Sequence, residues 1–335
     1  MSFRIGTRVR GWFILTICAL SSACGGSSPP NEDASFAVDT STAIDSSAAR
    51  DSSVGGADAN DASPGDTGAS RGYRTGVATG TLRGVPETSG IVASRTYPGV
   101  FWIHNDSGNA PEVFAIDESA AVLSTIRIEG ASNQDWEDIA LGRGADGSDV
   151  VYLGDIGDNE ARMTMGASSS RGGVMRIYRV VEPNPRGGVL RVAADSFDLR
   201  YPERPYDCEA MFVDPRTGDL YFVTKDETAD VFVAHAPFVA GSTTPLEHVA
   251  SFPLLTVTAA DMSADGTRVV VRSYGDIQVF DVGPSEPRFL SAFRAPRYTP
   301  NYTSFAEAIC FGADDYDLFT ISEGSAARLF RIPWE

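Results

Sequence analysis

Glu209-Ala-Met-Phe-Val213, a turn at Asp214-Pro-Arg-Thr-Gly218, then Leu220-Tyr-Phe-Val-Thr224: this stretch decides the fold, because its pattern recurs along the chain. An acid is followed by a small residue and an apolar run, then a turn, then a strongly β segment that ends in polar residues. The other copies begin at Glu87-Thr-Ser-Gly-Ile91, Glu137-Asp-Ile-Ala-Leu141, Asp261-Met-Ser-Ala264 and Glu307-Ala-Ile-Cys-Phe311. Their β segments are Val100-Phe-Trp-Ile-His104, Val150-Val-Tyr-Leu153, Arg268-Val-Val-Val-Arg272 and Leu318-Phe-Thr-Ile-Ser322. A repeat period of about 50 residues signals stacked or radial supersecondary units. The repeat also predicts that five acids share one equivalent position.

Working outward, each repeat divides into four β segments separated by Gly, Pro and Asp turn signals. They fall at 90–94, 100–104, 112–116 and 122–129; at 138–141, 150–153, 174–181 and 196–201; at 210–213, 220–224, 231–235 and 247–252; and at 260–263, 268–273, 277–280 and 288–293. No helical period competes over a long stretch. Four-stranded units repeated radially make an all-β protein, a β-propeller. The fifth copy has only 307–311, 318–322 and 328–332, and the domain begins with a spare β segment at 76–82. That segment is expected to complete the last of five blades and close the ring. The interval from Glu137 to Glu209 is longer than the others, through a polar insertion around 163–173; a six-bladed ring would need a further blade hidden there.

The 335 residues are expected to divide into three parts. Residues 1–23 have the basic start (Arg4, Arg8, Arg10), short apolar run and small-residue end of an export signal. Cys24 follows directly, as at a bacterial lipoprotein cleavage site, and would carry the lipid; ordinary cleavage after Ala23 is the alternative. Residues 24–72 are Ser-, Ala- and Asp-rich with Phe36 as their only aromatic, too poor in apolar surface to fold, and form an acidic tether. Residues 73–335 are the propeller. A net charge of −18 argues against nucleic acid, which needs a basic footprint. The expected location is exported, at a bacterial outer membrane or cell surface with the periplasmic side as the alternative, held by a lipid anchor alone, as a monomer. Cys208 and Cys310 fall in different repeats and are expected to be buried thiols.

Propeller geometry turns the repeat into a site. Inner strands start, and second strands end, at the same face of the ring. The mouth of the channel is therefore expected to gather Glu87, Asn105, Glu137, Asp155, Glu209 and Glu307, with Asp138, Lys225, Asp261, Arg272 and Glu323 as ligand-binding neighbours. Carboxylates plus an Asn amide oxygen are a Ca²⁺ ligand set, and crowded like charges raise one another's pKa or bind a cation. Alternatively the acids accept backbone N–H groups of adjacent blades, with Lys225 and Arg272 as structural counter-charges. His104 beside Asp106 would be the general base of a hydrolase. Residues 73–335 have no Gly-x-Ser-x-Gly elbow, no zinc spacing among their three histidines and no phosphate loop.

The segments Glu87-Thr-Ser-Gly90, Asn105-Asp106, Asp135-Trp-Glu-Asp138, Gly154-Asp155 and Glu209-Ala210 resemble those of bacterial exported propellers of the phytase-like and gluconolactonase/regucalcin-like kind. The resemblance covers 73–335 and implies a channel Ca²⁺ and hydrolysis of lactones or phosphate esters. A full ligand set and the dense phosphate sites of phytases do not align. Two functions stay open: an anchored propeller that binds a small molecule, glycan or protein at its acidic mouth, and a Ca²⁺-dependent hydrolase of esters, lactones or phosphate esters.

Overall fold

Strands such as Val-Phe-Trp-Ile are apolar at every position, although side chains alternate between two faces of a sheet. Such a strand must be covered on both faces. In the computed structural model, which describes residues 71–283, 298–300 and 306–335, they are covered by neighbouring blades.

A lone strand β1 (Val77–Thr81) comes first. Blade one is the antiparallel meander β2 (Thr88–Ala93), β3 (Val100–Asn105), β4 (Glu112–Asp117) and β5 (Val122–Glu129). Blade two contains β6 (Trp136–Arg143), β7 (Asp149–Asp155), the five-residue helix α1 (Asn159–Met163) and β8 (Val174–Val181); after an excursion β9 (Gly188–Ala193) it ends with β10 (Asp195–Arg200). Blade three is β11 (Cys208–Val213), β12 (Leu220–Thr224), β13 (Ala229–Ala234), an excursion β14 (Thr243–Pro245), and β15 (Glu247–Phe252). Blade four shows β16 (Val257–Met262), β17 (Arg268–Ser273) and β18 (Ile277–Asp281); its expected outer strand at 288–293 lies outside the described residues. Blade five is β19 (Ala308–Phe311), β20 (Leu318–Ile321) and β21 (Arg328–Ile332), completed by β1. The ring therefore has five blades. The long interval in blade two holds α1 and the excursion β9, not a sixth blade.

The core is divided among the five blade-to-blade interfaces. Along β11, Met211 packs toward blade two with Phe222 and Tyr152, while the next residue, Phe212, packs toward blade four with Val269 and Phe280. Along β2, Ile91 faces blade five and Val92 faces blade two. Blades four and five meet through Val270, Val279, Ile309 and Leu318. At about 1.5–3 kcal/mol per fully buried large apolar side chain, this interdigitation outweighs any single polar contact described below. Cys208 and Cys310 are free and buried in different interfaces.

Closure takes the expected form. β1 pairs antiparallel with β21, with Val77 opposite Arg331 and Thr81 opposite Arg328. Gly72 and Glu335 exchange both backbone hydrogen bonds (2.7 and 3.1 Å).

The sequence gives no sign of how the rim is built. The link between the third and fourth strands of blade two runs out as β9 and pairs in parallel with β5 of blade one. The same link of blade three runs out as β14 and pairs in parallel with β10 of blade two. The corresponding turn of blade one presses the Ser119 backbone onto Gly80 of β1, so closely that any side chain at Gly80 would collide with the Ser119 carbonyl.

Candidate functional site

The inner strands β2, β6, β11 and β16 each carry a bulge at their second residue, which disrupts the ladder and re-aims a side chain. The bulged residues are Ser89, Glu137, Glu209 and Thr258, and Glu307 precedes β19 in the same way. This is one row of equivalent positions. A second row lies two residues earlier: the carbonyls of Glu87, Asp135, Asp207 and Thr256 accept the amides of Asp106, Ile156, Lys225 and Tyr274. Those four residues follow the second strands and form a third row, continued by Glu323.

The expected equivalence of five acids is thus corrected. Glu137, Glu209 and Glu307 are equivalent. Glu87 belongs with Asp135 and Asp207, and its own blade puts Ser89 at the bulge. Asp261 lies three residues beyond Thr258, near the other end of the channel. There its Oδ2 accepts the Phe311 amide (2.9 Å), and it lines a cavity of about 220 Å³ with Arg95 and Asp315. A pattern of acid, small and apolar residues cannot count the extra residue that a bulge inserts.

Several predicted residues lie away from the mouth or are already engaged. His104 is fully buried against Trp136 (5.8 Å between rings), and its Nδ1–H donates to the Asn105 carbonyl (3.0 Å). Burial lowers its pKa to about 4, so it is neutral and out of reach of a substrate. The general-base assignment to His104 is therefore withdrawn. Asp138 is also fully buried: Oδ2 accepts the amides of Met211 (2.9 Å) and Ala260 (3.2 Å), and Oδ1 that of Ile139 (2.9 Å). It ties blade two to blades three and four and is no ligand-binding group. Arg272 is buried, with Nε donating to the Ala306 carbonyl (2.9 Å). Asn105 accepts the Glu87 amide through Oδ1 (3.1 Å), and the Glu87 carboxylate accepts from Asn109 (2.6 Å). Asp155 is buried in an ion pair with Arg171 (2.8 Å), and the same oxygen accepts the Asp135 amide (2.9 Å).

What does converge is a compact acidic group. Oxygens of Asp106, Asp135 and Glu137 all lie within 4.8 Å of one another. Two oxygens bound to one Ca²⁺ at 2.3–2.6 Å stand at most about 5 Å apart, so the three fit a single hard cation. The surroundings hold them there. Asn133 Nδ2 donates to the carbonyls of Asn105 (3.0 Å) and Asp106 (2.7 Å), and Ser89 Oγ donates to the Glu137 carbonyl (2.8 Å). Gly157 lies directly over Asp135 and Glu137, and even a methyl there would collide with both carboxylates. Its φ is not positive, so glycine is required here for room rather than for backbone conformation. Beside this group Lys225 Nζ bonds Glu209 Oε2 (2.8 Å) and lies 4.8 Å from the Tyr274 ring centre.

Burial and mutual repulsion raise these acids. Burial, then Glu209, Asp106 and Asp135, push Glu137 well above the usual range. Burial raises Glu209 to about 8 although Lys225 opposes it. Burial raises Glu307 to about 7 against Lys225, with Glu323 and Asp106 adding to the rise. Burial, Asp106 and Asp207 bring Asp135 to about 7. Burial pulls Lys225 down, but the Glu209 carboxylate and its hydrogen bond prevail and hold it charged.

The consequence for stability has a definite sign. Carboxylates with raised folded pKa values bind protons that the unfolded chain has already released, so stability falls as pH rises toward those values. In EDTA the melting temperature should therefore fall between pH 6.5 and 8.5, above the range in which His104 titrates. Glu307→Gln should flatten the slope. A melting temperature that rises over this interval contradicts the assignment.

Asp135, Ser89, Asn133, Tyr274 and Gly157 were not among the residues expected to build the site. Asp135 had a signal: it stands two residues before Glu137, a spacing that puts both on one side of an extended chain. Gly157 had none, because only the fold brings it over the carboxylates.

No protein-family model and no curated protein match the sequence. Among solved structures, a gluconolactonase from Xanthomonas campestris, described as important in glucose secondary metabolic pathways, is similar at a TM-score of 0.43 and 15% identity, over 73% of this chain and 72% of that chain. A likeness at that level carries no argument about the site.

Proposed function

We propose that the protein is an exported, lipid-anchored propeller that binds its ligand at the acidic mouth through a divalent cation, Ca²⁺ by preference, held by Asp106, Asp135 and Glu137. The observation that carries this reading is the three-carboxylate group, with Gly157 packed against it where no side chain would fit. All-oxygen, anionic donors favour a hard cation, and three side chains leave coordination positions of Ca²⁺ for water or ligand oxygens. Asp155 and Asn133 position the site by fixing the backbone of Asp135 and Asp106. The export signal, Cys24 and tether support a surface location; Cys24→Ala should release the protein from membranes.

The test is thermal melting of the protein in EDTA and in Ca²⁺. A cation present at about 100 times its dissociation constant stabilises the folded state by about 2.7 kcal/mol, a rise of about 5–10 °C for a domain of this size. Gly157→Ala and Glu137→Gln should abolish the rise. An unchanged melting temperature for the wild type would refute the cation site and leave the acids as blade-to-blade structure.

The hydrolase alternative uses the same residues. A bound cation would polarise an ester or lactone carbonyl. With His104 buried, half-buried Glu307, raised by burial to about 7 and outside the three cation ligands, would be the base. Lactone and ester turnover that is lost in Glu307→Gln while the Ca²⁺-dependent rise in melting temperature is kept would favour this alternative over binding alone.

A further inference from the structure

A cavity of about 600 Å³ opens beside the mouth and shares Lys225 with it. Four segments build it: the insertion of blade two that carries α1, the link from β10 to β11, the β12–β13 turn and start of β13 in blade three, and the link from β15 to β16. Its size is that of a small-molecule site. Three features set its chemistry.

The first is a pair of guanidiniums fixed in place with donors to spare. Arg162 forms an ion pair with buried Asp207 (Nε to Oδ2, 3.1 Å) and donates Nη2 to Asn159 (2.8 Å). Arg204 donates Nη2 to Asp226 (3.1 Å) and Nη1 to the Pro205 carbonyl (3.3 Å), and lies on the Tyr206 ring (3.8 Å). Arginine has five N–H donors, and among the described residues Nη1 of Arg162 and Nε of Arg204 make no hydrogen bond, which leaves them for a ligand carboxylate. The second is Glu227, exposed at the rim, whose carboxylate makes no hydrogen bond or ion pair among the described residues. The third is apolar. Met165 is 81% exposed and Leu255 is 59% exposed, and both line the cavity. Large apolar side chains left open inside a concave site mark a contact surface.

Net charge selects among ligands. Cationic and acidic side chains line the cavity in equal number, three of each, on a chain of net charge −18. The long-range field opposes a simple anion, and the fixed guanidiniums oppose a simple cation. A zwitterion with an apolar body meets neither penalty. We propose that this cavity binds short peptides with free ends and apolar side chains: the terminal carboxylate on Arg162 and Arg204, the terminal ammonium on Glu227, the side chains against Met165 and Leu255. The inference extends the ligand-binding reading of the mouth face but does not need the cation.

Calorimetric titration of the full chain with dileucine, N-acetyl-dileucine and dileucine amide, each in EDTA and in Ca²⁺, tests it. Free dileucine should bind, and blocking either end should weaken binding at least tenfold. Arg204→Gln should erase the preference for a free carboxylate, Glu227→Gln the preference for a free amine, and Leu255→Ser should weaken all three ligands. These positions are exposed or half-buried, and unchanged melting of the variants confirms that they fold. No binding of dileucine at millimolar concentration, equal binding of the blocked forms, or tightest binding of the acetylated form would each overturn the proposal; the last would indicate an organic-anion site. Dileucine binding in EDTA without any Ca²⁺ stabilisation refutes the cation and leaves this site standing. Ca²⁺ stabilisation without dileucine binding does the reverse.

Discussion

Asp138→Ala should lower the melting temperature of the protein by about 10 °C. The carboxylate is fully buried and accepts three backbone amides, from Ile139, Met211 and Ala260, on three different inner strands. Alanine leaves the Met211 and Ala260 amides without their acceptor at a fully buried position. Each such buried donor costs about 1–3 kcal/mol, and the methyl group restores none of it. Asp138→Asn keeps one oxygen for the shared pair and should lose about half as much. If Asp138→Ala melts within about 2 °C of the wild type, the inner strands are held by apolar packing alone and the carboxylate is incidental.

The second large effect concerns closure. Deleting 73–84 removes β1 and Leu82, which is fully buried in the interface between blades five and one. It also removes the Arg74–Pro333 and Leu82–Ala327 backbone hydrogen bonds. Loss of a buried leucine costs about 2–5 kcal/mol, and each hydrogen bond about 0.5–1.5 kcal/mol, before the ladder to β21 is counted. Against a total stability of about 5–15 kcal/mol, the deletion should leave little folded protein. The exposed edge of β21 should drive aggregation. Far-ultraviolet circular dichroism and gel filtration would show it; a monomer with an unchanged melting temperature would mean that β1 is ornamental.

Much of this fold could be read from the chain, because its determinants are local. Runs such as Val269-Val-Val271 announce strands covered on both faces, and Pro98-Gly99 and Ala264-Asp-Gly266 announce the turns between them. The missing strand of the last repeat and the spare segment before the first predicted their pairing. The rim was not legible: β9 and β14 look like any short β segment, and their parallel pairing with the preceding blade is decided by tertiary contact. The site was legible as a region and not as a set of contacts. Glu137 and Glu209 stand at the mouth as their repeat position implied. His104 and Arg272 looked like mouth residues because they end second strands, yet both pair with a residue just past a bulge, Gly90 and Ala259, and turn into the interior. One inserted residue per strand decides which side chain turns toward the channel and which packs between blades.

The parallel excursions β9 and β14, with the Asp138 carboxylate at the centre, have a mechanical consequence. The ring behaves like a wheel pinned at its hub and laced along its rim, so no blade among the first three can lift away without disturbing its neighbour. Protease digestion should therefore pass from intact domain to small peptides with no single-blade fragment surviving between. Under proteolysis the domain would persist as a whole or not at all.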